Sequence, residues 1–380
     1  MKHLHVSLVG GELEPIYTVV RDISPDIVVL LHSAKTQQKA QRLKKIILEF
    51  IPNIKDESIH LIHLHDTDIS AMKQRILELK TLFRPDIKIT INITSGIKPW
   101  AILCLQLYGD LDNVECLYRN QDNSLWNFKT DSMYPYEPKG LELDELLRLN
   151  NVEIISSNDF SRYTKEDDMC VSDIRELRRI NYEAFNALTT DLYKHSNKTR
   201  SVYGLCSLEW VKEEKAYIMH MENKGRVMTK MLKSPNVRSL LLNTSWFEYE
   251  VAALLSKWED VEQIIINIHF AIPSDDKINR DANETDILIK AQGKYLFVEC
   301  KTQIQKPTDI DKFNEVGKAY GGLASKRIFV TDAEPNDNAK DKFKHKGMRH
   351  YVLSEIAKNE SAMNAFFEDL DKYINSINEK

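Results

Sequence analysis

The sequence predicts an α/β chain built from two domains, a mostly parallel, doubly wound sheet at the N-terminus and a second α/β domain at the C-terminus. Three observations carry the prediction. Strand-like and helix-like segments alternate through the first 120 residues. Several of those strands are near-continuous apolar runs, as strands covered on both faces are. Near the C-terminus, Asp286 opens one short strand and the next strand ends in Glu299, Cys300 and Lys301.

Taken in order, the expected strands of the first domain are His3 to Val9, Asp26 to Ser33, Ser58 to His65, Asp86 to Thr94 and Asn113 to Arg119. The intervening helices are Gln37 to Phe50, Ile69 to Phe83 and Lys98 to Tyr108. This is a Rossmann-like arrangement, and such sheets bind ligands outside the carboxyl ends of their strands. Those ends are polar and flexible here: Gly10, Gly11 and Glu12 follow the first strand, Ser33 and Lys35 the second, and Thr94, Ser95, Gly96, Ile97 and Lys98 the fourth. Backbone amides at the helix start, with a glycine allowing close approach, hydroxyls and one lysine, make a plausible phosphate cradle. An ordinary capped strand-to-helix turn is the plainer alternative. No Gly-x-Gly-x-x-Gly is present, so a dinucleotide cofactor is not favoured. His60, His63 and His65 fall within an alternating strand and read as strand residues rather than metal ligands.

Residues 140–235 read as a helical connector, with helices over Leu141 to Leu149 and Val171 to Leu188 and a polar loop from Ser156 to Asp168. The expected domains are therefore 1–139, the connector 140–235, and 236–380. Two basic clusters, Lys224, Arg226, Lys230, Lys233 and Arg238, then Lys340, Lys342, Lys344, Lys346 and Arg349, are candidates for tracking a phosphate backbone, or simply solvated surface.

The C-terminal domain carries the chemistry. Alternation along Tyr-Leu-Phe-Val-Glu-Cys-Lys (295–301) puts Glu299 and Lys301 on one face and turns the Cys300 thiol to the other, toward the core. A turn over Lys290 to Lys294, containing Gly293, joins this strand to the one led by Asp286 and brings the acids together. In the preceding helix, Phe247, Val251, Leu254, Leu255 and Trp258 form an apolar stripe bordered by Glu248 on one side and Glu250 on the other. Either acid can face inward, and Glu248 is preferred. Hard cations such as Mg²⁺ or Mn²⁺ prefer carboxylate and carbonyl oxygens. Asp286, Glu299, the helix acid and the Cys300 backbone carbonyl suit them, in a site for phosphodiester hydrolysis. Lys301 would position water or stabilise the pentavalent charge, with its own pKa lowered by burial.

Composition adds bounds. At 380 residues two domains are expected, and the net charge of −5 argues against coating nucleic acid with the whole surface. There is no apolar stretch of membrane-spanning length and no signal peptide, so a cytoplasmic location is expected. Five cysteines, an odd number with no Cys-x-x-Cys, read as reduced buried thiols.

The order of helix Glu, Asp and Glu-x-Lys resembles the PD-(D/E)xK nuclease superfamily over residues 240–335, implying a restriction-endonuclease-like α/β/α fold. The whole set, Leu-Val-Gly-Gly-Glu (8–12), Leu-Leu-His-Ser-Ala-Lys (30–35), Ile-Asn-Ile-Thr-Ser-Gly-Ile-Lys (91–98), Trp-Phe-Glu (246–248) and Val-Glu-Cys-Lys (298–301), resembles the Can/Card-type ancillary nucleases of type III CRISPR antiviral defence. In that family a CARF domain binds a cyclic oligoadenylate, usually cyclic tetra-adenylate, as allosteric activator of the nuclease domain. The resemblance implies ligand contacts at Gly10, Gly11, Ser33, Lys35, Thr94, Ser95, Gly96 and Lys98, and catalytic roles for Glu248, Asp286, Glu299 and Lys301. Ser95 stands where family members often carry a second glycine, and Asn-Thr-Ser rather than Gly-Gly precedes Trp246. A symmetric cyclic tetranucleotide implies an isologous homodimer around it. The implied activity is cleavage or nicking of DNA, single-stranded RNA or both. A non-catalytic nucleotide-sensing regulator that binds nucleic acid, and a restriction-type nuclease not gated by cyclic oligoadenylate, are the alternatives. Degradation of the ligand by the first domain is a further one, for which no residue there identifies itself as nucleophile or base.

Overall fold

The computed structural model describes residues 2–120, 122–190, 200–202, 205–241, 245–271, 283–304, 306–321 and 325–376. Two compact units divide after Glu153. Asn243 and Thr244, which precede Ser245 and Trp246, lie outside the described residues.

The first unit runs β1 (His3–Leu8), α1 (Glu14–Ile23), β2 (Ile27–His32), α2 (Gln37–Phe50), β3 (Ile59–His63), α3 (Ile69–Glu78), β4 (Lys88–Asn92), α4 (Lys98–Tyr108), β5 (Val114–Arg119), β6 (Leu125–Asn127), β7 (Ser132–Met133) and α5 (Leu143–Leu149). Its sheet order is β3-β2-β1-β4-β5-β6-β7, parallel through β5 with an antiparallel β6–β7 edge. The order reverses between β1 and β4, which is where an α/β sheet opens a crevice at its strand ends. The apolar face, from Leu4, Val6 and Leu8 to Ile89 and Ile91, packs on Trp100, Cys104 and Tyr108 of α4 and on Met72 and Ile76 of α3. Helix α1 is an addition to the expected elements. Pro15 in its first turn is compatible with a helix, and Ile16, Tyr17, Val19 and Val20 are buried.

The second unit continues with β8 (Glu153–Asp159), α6 (Lys165–Ile180), α7 (Tyr182–Thr189), β9 (Arg200–Val202), β10 (Cys206–Val211), β11 (Ala216–Asn223), β12 (Arg226–Leu232), α8 (Val237–Leu241) and α9 (Ser245–Leu255). After these come β13 (Val261–Ala271), β14 (Asn283–Ala291), β15 (Lys294–Lys301), α10 (Thr308–Gly321), β16 (Lys326–Thr331), α11 (Asp337–His345), β17 (Arg349–Val352), α12 (Leu353–Ile356) and α13 (Glu360–Asn375). The main sheet has the order β17-β16-β15-β14-β13-β8, antiparallel from β13 to β15 and parallel from β15 to β17. Helix α9 buries Trp246, Phe247, Val251, Ala252 and Leu255 in the core shared with Ile287, Ile289, Val298 and Cys300.

Three expectations are corrected. The helical connector over 140–235 is not wholly helical, because β9 to β12 form a four-stranded antiparallel sheet. Alternating burial in β11 (Tyr217, Met219 and Met221 inward) and a turn with Lys224 and Gly225 at positive φ, 49° and 76°, are its local cause. The helix expected from Val171 to Leu188 breaks at Asn181, whose side chain accepts the Ala184 N–H and caps α7. Asp286 is likewise not the first residue of its strand: β14 starts at Asn283 because Glu284 and Thr285 pair with His269 and Ile268 of β13. Among the described residues no helix is long and apolar enough to cross a membrane.

Candidate functional site

The β14–β15 hairpin turns through Gln292 and Gly293, both at positive φ, and its ladder ends at the pair Ile287↔Val298. Beyond that pair the Asp286 carboxylate takes over, Oδ2 accepting the Cys300 N–H at 2.6 Å. Asp286 is 5 % exposed. On β15, Lys301 Nζ lies 2.8 Å from Glu299 Oε1, while the Cys300 thiol is buried in the core as expected for the opposite face.

Helix α9 delivers Glu248 to this group. It is 7 % exposed, and its Oε2 has no hydrogen-bond partner. Glu250, the other helix acid, is held by Arg175, Nη2 to Oε2 at 2.6 Å. Burial, then the charges of Asp286 and Glu284, raise the Glu248 carboxyl well above its ordinary range. Burial first and Asp286 second push Glu299 up to about 8. Burial pushes Asp286 up to about 6, against the pull of Lys301 and the Cys300 N–H. A 2.8 Å ion pair with Lys301 and a raised Glu299 carboxyl point in opposite directions. They are reconciled by counting: three buried acids share one ammonium, so the cluster keeps protons at neutral pH, and these belong to the group rather than to one residue.

The expectation of a lowered Lys301 pKa is corrected. Burial does favour the neutral amine, but the Asp286 and Glu299 charges together outweigh it and the ammonium is held more firmly than usual.

Three features were missed from the sequence. Glu284 raises all three acids and contacts His269, Oε1 to Nε2 at 3.9 Å; the Glu-x-Asp spacing of residues 284–286 on a strand was its signal. Asp332 follows β16, donates its N–H to the Lys301 carbonyl at 3.3 Å, and is clamped by Arg175 (3.3 Å) and Arg178 (2.9 Å). Lys39 of α2 donates to the Gly11 carbonyl at 2.5 Å.

Among the described residues no three His, Cys, Asp or Glu side chains are gathered as a ready cation cage. The fit of a divalent cation rests instead on a buried carboxylate oxygen lacking a partner and on acids that lose their raised pKa when a positive charge joins them. The basic clusters are largely committed within the chain: Lys230 pairs with Asp173 and Glu176, Lys233 with Glu214, Lys340 with Glu334, and Lys342 and Lys346 with Asp311.

In the first unit the parallel strands deliver Gly10 and Gly11 (after β1), Ser33 and Lys35 (after β2), and Thr94, Ser95, Gly96 and Lys98 (after β4) to one edge of the sheet. The β1 and β4 loops touch: a Cβ on Gly10 would lie 2.5 Å from both Gly96 N and Ser95 Oγ. Gly96 has φ +79°, the left-handed region that favours glycine, and a Cβ there would meet Leu8 Cβ at 2.8 Å. Asn92 Oδ1 accepts from the Thr94 N–H and hydroxyl, at 3.1 and 2.6 Å, which fixes the start of the cradle. Lys35, 83 % exposed, pairs with Asp66 at 3.3 Å.

Residues 4–145 match the family described as the Card1 CARF domain. Over the whole chain the fold is similar to protein VC1899 from Vibrio cholerae, at TM-score 0.72 and 14 % identity, covering 96 % of this chain and 98 % of that one. It is also similar to Can2 from Sulfobacillus thermosulfidooxidans in complex with cyclic tetra-adenylate, at TM-score 0.66 and 18 % identity, covering 98 % and 100 %. No curated protein matched by sequence.

Proposed function

From the premise that this is a CARF-domain chain, with residues 4–145 of the Card1 type, we propose that it is a metal-dependent nuclease of type III CRISPR defence, switched on by a cyclic oligoadenylate. Its activator is cyclic tetra-adenylate, the ligand held by Can2, and its substrate is DNA, RNA or both. The observation that carries the catalytic half is the buried Glu248 oxygen without a partner, facing Asp286, Glu299 and Lys301.

The groups that would hold Mg²⁺ or Mn²⁺ are Asp286, Glu299, Glu248 and the backbone carbonyl of Cys300. The ion, when bound, supplies phosphate screening, an acidified water and stabilisation of the departing oxyanion. In the metal-free site the charges of Asp286 and Glu299 hold Lys301 as an ammonium beside Glu299. It serves as a donor that positions the nucleophilic water or meets charge on the phosphoryl oxygens. The Asp286 carboxylate is oriented by the Cys300 N–H, which engages Oδ2 and leaves Oδ1 as a further acceptor.

The activator sits at the β1, β2 and β4 strand ends, its phosphates against Gly10, Gly11, Ser33, Lys35, Thr94, Ser95, Gly96 and Lys98. A ring of four equivalent nucleotides has matching halves, so a two-fold homodimer encloses it. Gating then requires the ligand to bind one arrangement of the dimer more tightly than the other.

Cleavage of labelled single-stranded DNA, single-stranded RNA and supercoiled plasmid with Mn²⁺ or Mg²⁺, with and without cyclic tetra-adenylate, tests this alongside Glu299→Ala. Cutting that needs both ligand and Glu299 is the expected result. The protons that the buried acids keep at neutral pH, which a cation would have to displace, favour one second reading, a sensor that binds nucleic acid without cutting it; ligand binding with no cleavage under any of these conditions would select it. Cutting indifferent to every cyclic oligoadenylate would remove the gate.

A further inference from the structure

The parallel register pairs His32 with His63 at the carboxyl ends of β2 and β3. Their rings meet edge to face, centroids 5.8 Å apart and planes at 75°, and His63 meets His65 in the same way at 5.9 Å and 75°. The three imidazoles form a chain that starts in the interior, His32 being 6 % exposed, and ends in solvent at His63 and His65. An alternating strand accounts for His60 and His63 but not for His65, since β3 ends at His63.

Position distinguishes these rings from ordinary surface histidines. The His65 carbonyl accepts the Trp100 indole N–H at 2.8 Å, and Trp100 Cε3 lies 3.2 Å from the point a Gly96 Cβ would occupy. The segment after β3 is thus tied, through one buried side chain, to the glycine loop after β4. On its other flank Asp66 holds Lys35. The histidine chain therefore borders the same strand-end edge as the proposed phosphate contacts, and it supplies what they lack: aromatic faces. Glycine amides, hydroxyls and lysines hold a phosphodiester backbone and offer a base no face to lie on, whereas exposed His rings stack on unstacked bases.

We infer that His63 and His65, braced by His32, form a base-stacking rim of the nucleotide site, on which an adenine of the cyclic oligoadenylate lies. The inference rests on the sensor reading above and adds the residues that read the base.

The experiment is titration of the full-length protein with cyclic tetra-adenylate by calorimetry, comparing wild type with His63→Ala/His65→Ala, His63→Phe/His65→Phe and His63→Gln/His65→Gln, with His60→Ala as a control on the same strand. Loss of a base stack corresponds to about 5- to 100-fold weaker binding. That loss is expected for the alanine and glutamine pairs, with the phenylalanine pair returning to within about 3-fold of wild type and His60→Ala unchanged. Wild-type affinity in the alanine pair overturns the rim while leaving the sensor intact. Rescue by glutamine but not phenylalanine overturns stacking in favour of a polar contact. Failure of wild type to bind any cyclic oligoadenylate overturns the sensor reading and the rim with it.

Discussion

Replacing Glu248 by glutamine isolates the free energy stored in the acidic cluster. A glutamate carboxyl ionises near 4.5 when unshielded, and burial with Asp286 and Glu284 nearby raises this one well above that in the fold. A group whose folded pKa is raised destabilises the fold as pH climbs from the unfolded toward the folded value, because the folded state then holds a proton the unfolded chain has released. At pH 7 each such proton costs at most about 3.4 kcal/mol, from 1.36 kcal/mol per pH unit, and at pH 5 less than about 1 kcal/mol. Glutamine keeps the shape, removes the titration and offers its amide to the neighbouring acids. Glu248→Gln should therefore stabilise the metal-free protein by about 1–3 kcal/mol at pH 7, or about 3–10 °C in Tm for a unit of this size. The gain should shrink to about 1 kcal/mol or less at pH 5. Scanning calorimetry of both proteins in chelator at pH 5, 7 and 8 reads this directly, and added Mn²⁺ should raise the wild-type transition but leave the variant's nearly unmoved. An equal shift at all three pH values, or a variant less stable than wild type throughout, refutes the argument.

The same cluster should release protons when Mn²⁺ binds at pH 7, since Glu299 is raised to about 8 and Glu248 well above its ordinary range; calorimetry in buffers of different ionisation enthalpy counts them, and zero release contradicts the shared-proton picture. Lys301→Met should cut cleavage by at least about 100-fold at every pH, because a protonated donor has been lost rather than a base. A pH-dependent rescue would show that Lys301 acts as a base after all. Gly10→Ala should weaken cyclic tetra-adenylate binding about 10-fold or more, because its Cβ would collide with Gly96 N and Ser95 Oγ. Gly11→Ala, with nothing within 4 Å of its Cβ in the unliganded fold, should leave the thermal transition unchanged, so that any loss of binding in the same titration reports contact with the ligand. Glu284→Gln should raise metal-free stability at pH 7 by less than Glu248→Gln does, since Glu284 is exposed and contributes only charge.

Helices α2 and α4 were legible to the residue because their apolar positions recur at helical spacing between clear polar boundaries. The strands β1, β2 and β4 were legible because they are buried along nearly their whole length, and strands covered on both faces lean on apolar residues. Helix α1 and the antiparallel sheet of β9 to β12 were not, since short segments of mixed composition take their structure from what packs on them. The Asp286, Glu299 and Lys301 grouping was readable because a hairpin is local: register and alternation place those side chains together without help from the rest of the chain.

What the sequence by itself determined is therefore the class of each domain and the residue types at both candidate sites, through periodicity, glycine placement and strand alternation. Tertiary structure alone decided which helix acid joins the hairpin, since Glu248 and Glu250 border the same stripe and only the packing of α9, with Arg175 waiting for Glu250, separates them. It also decided the charge state of Lys301 and the gathering of His32, His63 and His65. Burial and Coulomb interaction depend on distances between residues far apart in the chain, and those distances exist only once the strands have paired and the helices have covered them.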